Sequence, residues 1–207
     1  MEPFSAPRQY KDVQAHLDDN ALVVRARAGD REAFAGLYER HQGAIFRFAL
    51  HMTGATASAE DVVQEVFVAL MRGLNRVEAN RSVRAYLYGI ARHIAARRRR
   101  RERLWVSFNA EAHELASGSP SVVEDLQRRD DLVRLRDAIV ALPRKYREVI
   151  ALCDLETLSY EEAASSLGCA VGTIRSRLHR ARARLASLLE RADNDARFSR
   201  RAAGWVL

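Results

Sequence analysis

Between Arg175 and Arg184 the chain carries five arginines and no acid, with Thr173 and Ser176 beside them. A guanidinium can grip O6 and N7 of guanine with two N–H groups, while hydroxyls and helix-start amides hold phosphate. The apolar residues of the same stretch are Ile174, Leu178, Ala181, Leu185 and Leu188, spaced four, three, four and three apart. That is one stripe of a helix, so Thr173, Arg175, Ser176, Arg177, Arg180, Arg182 and Arg184 fall on the remaining face. A basic solvated face on a structural hairpin would have the same composition. What precedes the helix separates the two readings. Ser159-Tyr160-Glu161-Glu162 is a capping box, Ala163, Ala164 and Leu167 face inward, and Gly168 suits a left-handed helix end. A short capped helix, a glycine turn and a longer basic helix from about Val171 are what a major-groove reader needs.

A second basic concentration lies upstream. Arg97 to Arg101 are consecutive, and Arg92 to Arg103 hold seven arginines against one glutamate. Such a run attracts phosphate without sequence preference. Of the 34 basic residues only Lys11 and Lys145 are lysines, which favours planar two-pronged donors wherever the basic face meets phosphate or guanine. No constellation for catalysis accompanies them: the six histidines are scattered without metal or triad spacing, and no glycine-rich phosphate loop is present. The chain therefore reads as a non-enzyme without cofactor or metal. Cys153 and Cys169 have apolar neighbours and read as core residues, too few for a disulfide framework. No apolar run approaches the ~20 residues of a membrane span and the N-terminus lacks a signal-peptide core, so membrane insertion is not expected and the protein reads as cytoplasmic.

The elements that must position these residues are helices. Ala, Leu, Arg and Glu dominate, and glycine and proline are few at 10 and 4, so the expected fold is all-α. Residues 1–20, with Pro3 and Pro7, read as a flexible leader. A helical pattern starts at Ala21, breaks at Gly29, and resumes from Asp30 as N-cap with Phe34, Leu37, Tyr38, Ile45, Phe46 and Ala49. Ser58 is expected to cap the next helix, whose stripe is Val62, Val63, Val66, Phe67, Leu70, Met71 and Leu74; Asp61, Gln64, Glu65 and Val68 lie opposite. A loop follows over 76–81, and Ser82 caps a helix carrying Tyr86, Leu87, Ile90 and Ile94. Periodicity fades from Trp105, and Ser117-Gly118-Ser119-Pro120 is a breaker cluster. A second block begins with the stripe Leu132, Leu135, Ile139 and Leu142, stopped by Pro143, and 154–158 reads as a turn. The expected organisation is a domain over 21–104, a flexible linker over 105–128, a helix-turn-helix domain over 129–190 and a tail over 191–207 read as disordered.

Leu158 to Arg184 resembles the promoter-reading C-terminal domain of bacterial sigma factors of the extracytoplasmic-function (ECF) group, and Ala141 to Ile150 resembles the segment before it. Ala59 to Phe67 resembles the group's polymerase-binding helix, and Arg84 to Arg92 its promoter-melting helix. The resemblance covers about residues 25–190 in the expected order. It implies two separately folded helical domains on one RNA polymerase specificity subunit. Asp61, Gln64 and Glu65 would dock on the clamp helices of the polymerase's largest subunit, with a further contact on the flap. The −10 element would be opened by a pocket at the 75–81 loop, with Asn80 as hydrogen-bonding candidate, and by a groove of Arg84, Tyr86, Arg92, His93 and Arg97. Thr173, Arg175, Ser176, Arg177 and Arg180 would read the −35 element. The group also implies an anti-sigma partner and a monomer when free. The chain departs from the group's pattern at Ala170, where a capping Ser is frequent, at Tyr86 for Trp, at His93 for Asn and at Arg97 for Asp. Two other readings fit the helix-turn-helix: a stand-alone dimeric regulator, and a sigma-like decoy for an anti-sigma factor. The first lacks a dimerisation heptad, and the second has no need of the dense arginines.

Overall fold

The computed structural model describes the backbone of residues 18–78, 82–108 and 123–203, and the side chains of 18–78, 82–101 and 132–192. Among the described residues all regular structure is helical, as composition requires. The N-terminal half is α1 (Asp19–Arg27), α2 (Arg31–Thr53), α3 (Thr56–Gly73), a 3-10 turn (Leu74–Arg76) and α4 (Val83–Phe108). The C-terminal half is α5 (Val123–Ala141), α6 (Arg144–Val149), a π-helical turn (Ile150–Leu155), α7 (Tyr160–Leu167) and α8 (Val171–Ala203).

Local chemistry sets most boundaries. Asp18 accepts the Ala21 N–H at 2.7 Å and starts α1. Asp30 accepts from Glu32 and Ala33 at 3.0 and 3.1 Å and starts α2. Gly54 ends α2 in the left-handed region at φ 85°. Ser82 accepts the Ala85 N–H at 3.2 Å at the start of α4, as expected. Ser58 does not cap α3. That helix begins two residues earlier, at Thr56, behind an Ala55 with no side-chain bond, so Ser58 lies inside the first turn. The stretch expected as a turn over 154–158 is helical as far as Leu155, and only Thr157, at φ 53°, breaks the backbone sharply.

Phe48, Leu37, Ile45, Val66, Leu70 and Leu87 are the buried centre of the first half, with Tyr88 edge-on to Phe48 at 5.2 Å between ring centroids. Ile139, Leu142, Val149, Leu152, Ile174 and Leu178 are the centre of the second. Two residues of the expected stripes face outward instead: Met71 is 57 % exposed and Leu132 is 65 % exposed.

The halves are joined by more than chain. α4 packs on α7, and α2 packs on α5 and α6, so the buried residues form one continuous cluster. Helix also extends into both ends of the expected linker, through Phe108 and from Val123, and runs on through the expected disordered tail to Ala203. No helix among the described residues is long and apolar enough to cross a membrane.

Candidate nucleic-acid interface

The helix-turn-helix is built as its residue types demand. Ser159 Oγ accepts the Glu162 N–H at 3.1 Å, and Glu162 accepts the Ser159 N–H at 3.0 Å, closing the capping box. Gly168, at φ 63°, ends α7 and donates its N–H to Ala164 O. Ala170 brings no side-chain acceptor to the start of α8; only its carbonyl takes part, accepting from Thr173 at 2.9 Å and Ile174 at 3.3 Å. Ile174, Leu178 and Ala181 are buried, which rolls the opposite face outward. Arg175, Ser176 and Arg180 are exposed there, and Thr173 and Arg177 are half-buried beside them.

The structure sorts the arginines of this face by partner. Arg180 Nε donates to Ser176 O at 3.2 Å within the helix, and Arg175 lies over the Tyr160 ring at 5.7 Å, so both heads stay at the surface. Arg182 instead grips Asp154 with two bonds of 3.0 and 2.6 Å, and Arg184 stacks on Tyr146 at 5.0 Å. Those two brace α8 against its own scaffold. Spacing alone assigned them to the same face as Arg180 and had no means of finding Asp154, 28 residues away.

The residues expected to open DNA are placed differently. Arg84 donates to the backbone carbonyl of Glu156. Arg92 Nη1 donates to Leu167 O at 2.8 Å, at the end of α7. Tyr86 is half-buried, its hydroxyl 3.1 Å from the point where a Cβ on Gly73 would stand, so a side chain at 73 would require the Tyr86 ring to give way slightly. With Ser82, Gly89, Ile90, His93 and Ser165 it lines a cavity of about 250 Å³ between α4 and α7. His93 is on the rim. Burial, then the charges of Arg92 and Arg144, hold its imidazole below its ordinary pKa. Asn80 lies outside the described residues.

Arg97 is turned away from this groove. Its guanidinium meets Glu65 at 2.6 Å, and Arg98 meets Glu65 at 2.5 Å and Asp61 at 2.7 Å. The acidic face expected to dock a partner and the basic run expected to hold DNA are thus one ion-pair network on α3 and α4. Arg97 belongs with Asp61 and Glu65, because α4 packs on α3 and brings Arg97 and Arg98 to that face. Gln64 stays exposed next to them.

One organising residue was missed altogether. Glu156 is buried, with a side chain 3 % exposed. Its carboxylate accepts from Arg47 Nε and Nη2 at 3.0 and 2.9 Å and from the Tyr88 hydroxyl at 3.1 Å. Burial, then that carboxylate, push the Tyr88 phenol well above its ordinary pKa, so it remains a donor. Around this hub Ser82 donates to Glu162 at 2.8 Å, Ser166 donates to Ala85 O at 2.9 Å, and Arg147 donates to Met52 O at 3.0 Å. In sequence Glu156 is one acid near a turn, indistinguishable from a solvated one; its neighbour Tyr88 is 68 residues away.

Comparison with known proteins places this arrangement. Residues 37–104 match the Sigma-70 region 2 model, and residues 132–185 match Sigma-70, region 4. The RNA polymerase sigma factor NccH of Alcaligenes xylosoxydans xylosoxydans is 31 % identical over 83 % of this chain and 95 % of its own length. The chain is an ECF sigma factor of the sigma-70 family. CnrH of Cupriavidus metallidurans is 33 % identical over 86 % of the chain, and the ECF sigma factor SigW of Bacillus subtilis 30 % over 77 %. The solved structure of CnrH in complex with the cytosolic domain of CnrY matches with a TM-score of 0.66 at 28 % identity, covering 83 % of this chain and 97 % of that one. The sigma factor RpoE of Bartonella quintana, in complex with the anti-sigma factor NepR, matches at 0.62 and 29 % identity, covering 76 % and 96 %. As a sigma factor the chain is a transcription initiation factor with DNA-binding domains.

Proposed function

We propose that this sigma factor binds core RNA polymerase through Asp61, Gln64 and Glu65, on the clamp helices of the largest subunit, and holds the flap with its C-terminal half. It opens the −10 element along Arg84, Tyr86, Arg92 and His93 with Asn80 at the pocket, and reads the −35 element with Thr173, Arg175, Ser176, Arg177 and Arg180. The observation that carries this reading is the outward face of α8. Three buried side chains and a capped, glycine-ended α7 seat it, and Arg175 and Arg180, which contact Tyr160 and Ser176 of the same half, are exposed at the surface. A seated helix with exposed guanidinium heads is what base-edge recognition requires.

The −10 residues face the C-terminal half in the packed arrangement. The halves must therefore part before α4 meets DNA, and core polymerase, holding each half separately, supplies that separation. Sigma relatives are solved with anti-sigma proteins, and we infer a comparable proteinaceous regulator for this chain. We place the free protein in the cytoplasm as a monomer.

Purified full-length protein, added to core polymerase and a pool of genomic fragments, is expected to drive transcription from one promoter class. Loss of output on replacing Arg175 and Arg177 by Glu is part of that expectation. Failure to co-purify with core polymerase would overturn the reading. Footprinting without polymerase separates it from the stand-alone regulator: protection of a palindrome by the free protein would favour the latter.

A further inference from the structure

α7 begins at Tyr160, directly after the Ser159 whose capping box with Glu162 fixes the backbone there. The Tyr160 side chain is half-buried and packs against the continuous core. The exposed guanidinium of Arg175 lies over its ring, 5.7 Å from the centroid. Arg175 stands near the start of α8, the end of a recognition helix that meets base edges in a docked helix-turn-helix. A ring seated by one helix thus holds an arginine of the next.

The manner of holding decides what an arginine can still do. Arg182 donates two bonds to Asp154, so those N–H groups are occupied by the protein. A ring takes a cation by the negative charge of its face and requires no hydrogen-bond acceptor. The contact with Tyr160 therefore restrains Arg175 without engaging the planar fork of N–H donors that grips guanine or phosphate. An unrestrained arginine loses the rotamer freedom of a long side chain when it binds, and that loss weakens the complex. A ring already in place removes part of the loss beforehand. Core packing alone accounts for a large apolar side chain at position 160, but it makes no use of the π face.

We propose that Tyr160 is a positioning residue for −35 recognition: its ring face holds the Arg175 guanidinium in the place from which it meets DNA. The inference rests on the −35 reading of α8 given above. It adds to that reading a residue outside the basic helix, which acts through Arg175 and needs no DNA contact of its own. The aromatic face is the working part, and the hydroxyl is incidental.

The test uses holoenzyme on a promoter fragment selected by the parent protein, beside the same fragment with its −35 element scrambled, and reads dissociation rates. Tyr160→Leu keeps an apolar side chain against the core and removes the π face. It is expected to speed dissociation from the intact fragment about two- to fivefold, the span of an exposed cation–π contact. Tyr160→Phe keeps the face and is expected to match the parent. With Arg175→Ala already present, Tyr160→Leu is expected to add nothing, because the two residues act as one unit. Circular dichroism melts report whether each variant remains folded. A measurement that needs no Leu variant is the proton spectrum of the free full-length chain: the Arg175 side-chain signals should lie upfield, shifted by the ring, in the parent and in Tyr160→Phe. Four results overturn the proposal: parent-like rates in folded Tyr160→Leu, additive losses in the Arg175→Ala background, no ring shift in the parent, or a loss in Tyr160→Phe equal to that in Tyr160→Leu. The last would assign the hydroxyl to DNA instead. A parent holoenzyme indifferent to the scrambled element sinks the −35 reading itself, whereas a responsive parent with additive losses sinks this proposal alone.

Discussion

The two regions of this sigma factor proposed to meet DNA use one residue type under opposite conditions. On α8, Arg175 and Arg180 carry only contacts from their own half and stand ready for a groove. On α4, Arg84 and Arg92 donate to carbonyls at Glu156 and Leu167 in the other half. The chemistry offered is the same; the availability differs. An arginine's role is set less by its position in a motif than by whether an acceptor already lies within reach. On the proposed function, the −35 reader would be preformed, whereas the −10 surface would first have to exchange protein carbonyls for phosphate.

This contrast can be broken at either end. The largest effect should come from Ile174→Ala, which empties a fully buried site beneath the open face; the expected cost is about 2–5 kcal/mol, read as a lower melting temperature with loss of −35 binding. A melt within a degree of the parent would mean that α8 is not seated as described. Next is Glu156→Ala. It leaves the buried Tyr88 hydroxyl without its acceptor and frees Arg47, at an expected cost of about 1–3 kcal/mol. Arg47 is 60 % exposed and can turn to water, which keeps the cost below that of a stranded buried charge. Fluorescent labels on the two halves should move apart, and single-stranded −10 DNA should bind more tightly. An unchanged label distance would show that Glu156 does not hold the halves together.

Arg180→Ala against Arg182→Ala sharpens the sorting within one helix. The first should weaken holoenzyme binding to its −35 element by about 1–3 kcal/mol, as for a lost base contact, and the second should act mainly on stability. Equal losses in a footprint titration would merge the two roles. Ala170→Ser restores an acceptor at the start of α8 and is expected to gain about 1 kcal/mol, visible as a small rise in melting temperature.

The smallest effect concerns acid. His51 and His93 face the seam between the halves. Burial, with Arg136 and Arg47 added, outweighs the opposing Glu156 charge and lowers the His51 pKa; burial, Arg92 and Arg144 outweigh Glu148 and lower that of His93. Both therefore bind fewer protons in the folded chain than in the unfolded one. Their contribution to stability is present above the ordinary histidine value near 6.5 and is lost as pH falls through the lower folded-state values. The melting temperature should fall on acidification below that point, and His51→Gln with His93→Gln should blunt the response.

Local features were legible in the sequence. The capping box at Ser159, the Gly168 turn and the buried stripe of α8 follow from spacing and residue type, because their partners lie within a few residues. The start of α3 was misread because serine is a better cap than alanine by chemistry, yet the helix begins at Thr56 with no side-chain cap. Arg97 was assigned to DNA because it opens an arginine run, and only the path of α4 along α3 brings it to Glu65. The joining of the halves was illegible for the same reason. Glu156, Arg47 and Tyr88 are far apart in the chain, and nothing local marks any of them.

That separation has a consequence for the order of events on the ribosome. Arg47 and Glu156 are 109 residues apart. At synthesis rates of roughly 5–20 residues per second, roughly 5–20 seconds pass between their translation. The N-terminal half can fold in that interval, because domains fold as units as they emerge. Translation-arrested chains ending before α5 should accordingly bind single-stranded −10 DNA better than the released protein, and equal binding would refute this order. Every newly made molecule would then begin with its −10 surface uncovered, and closure would be the last step of its biogenesis.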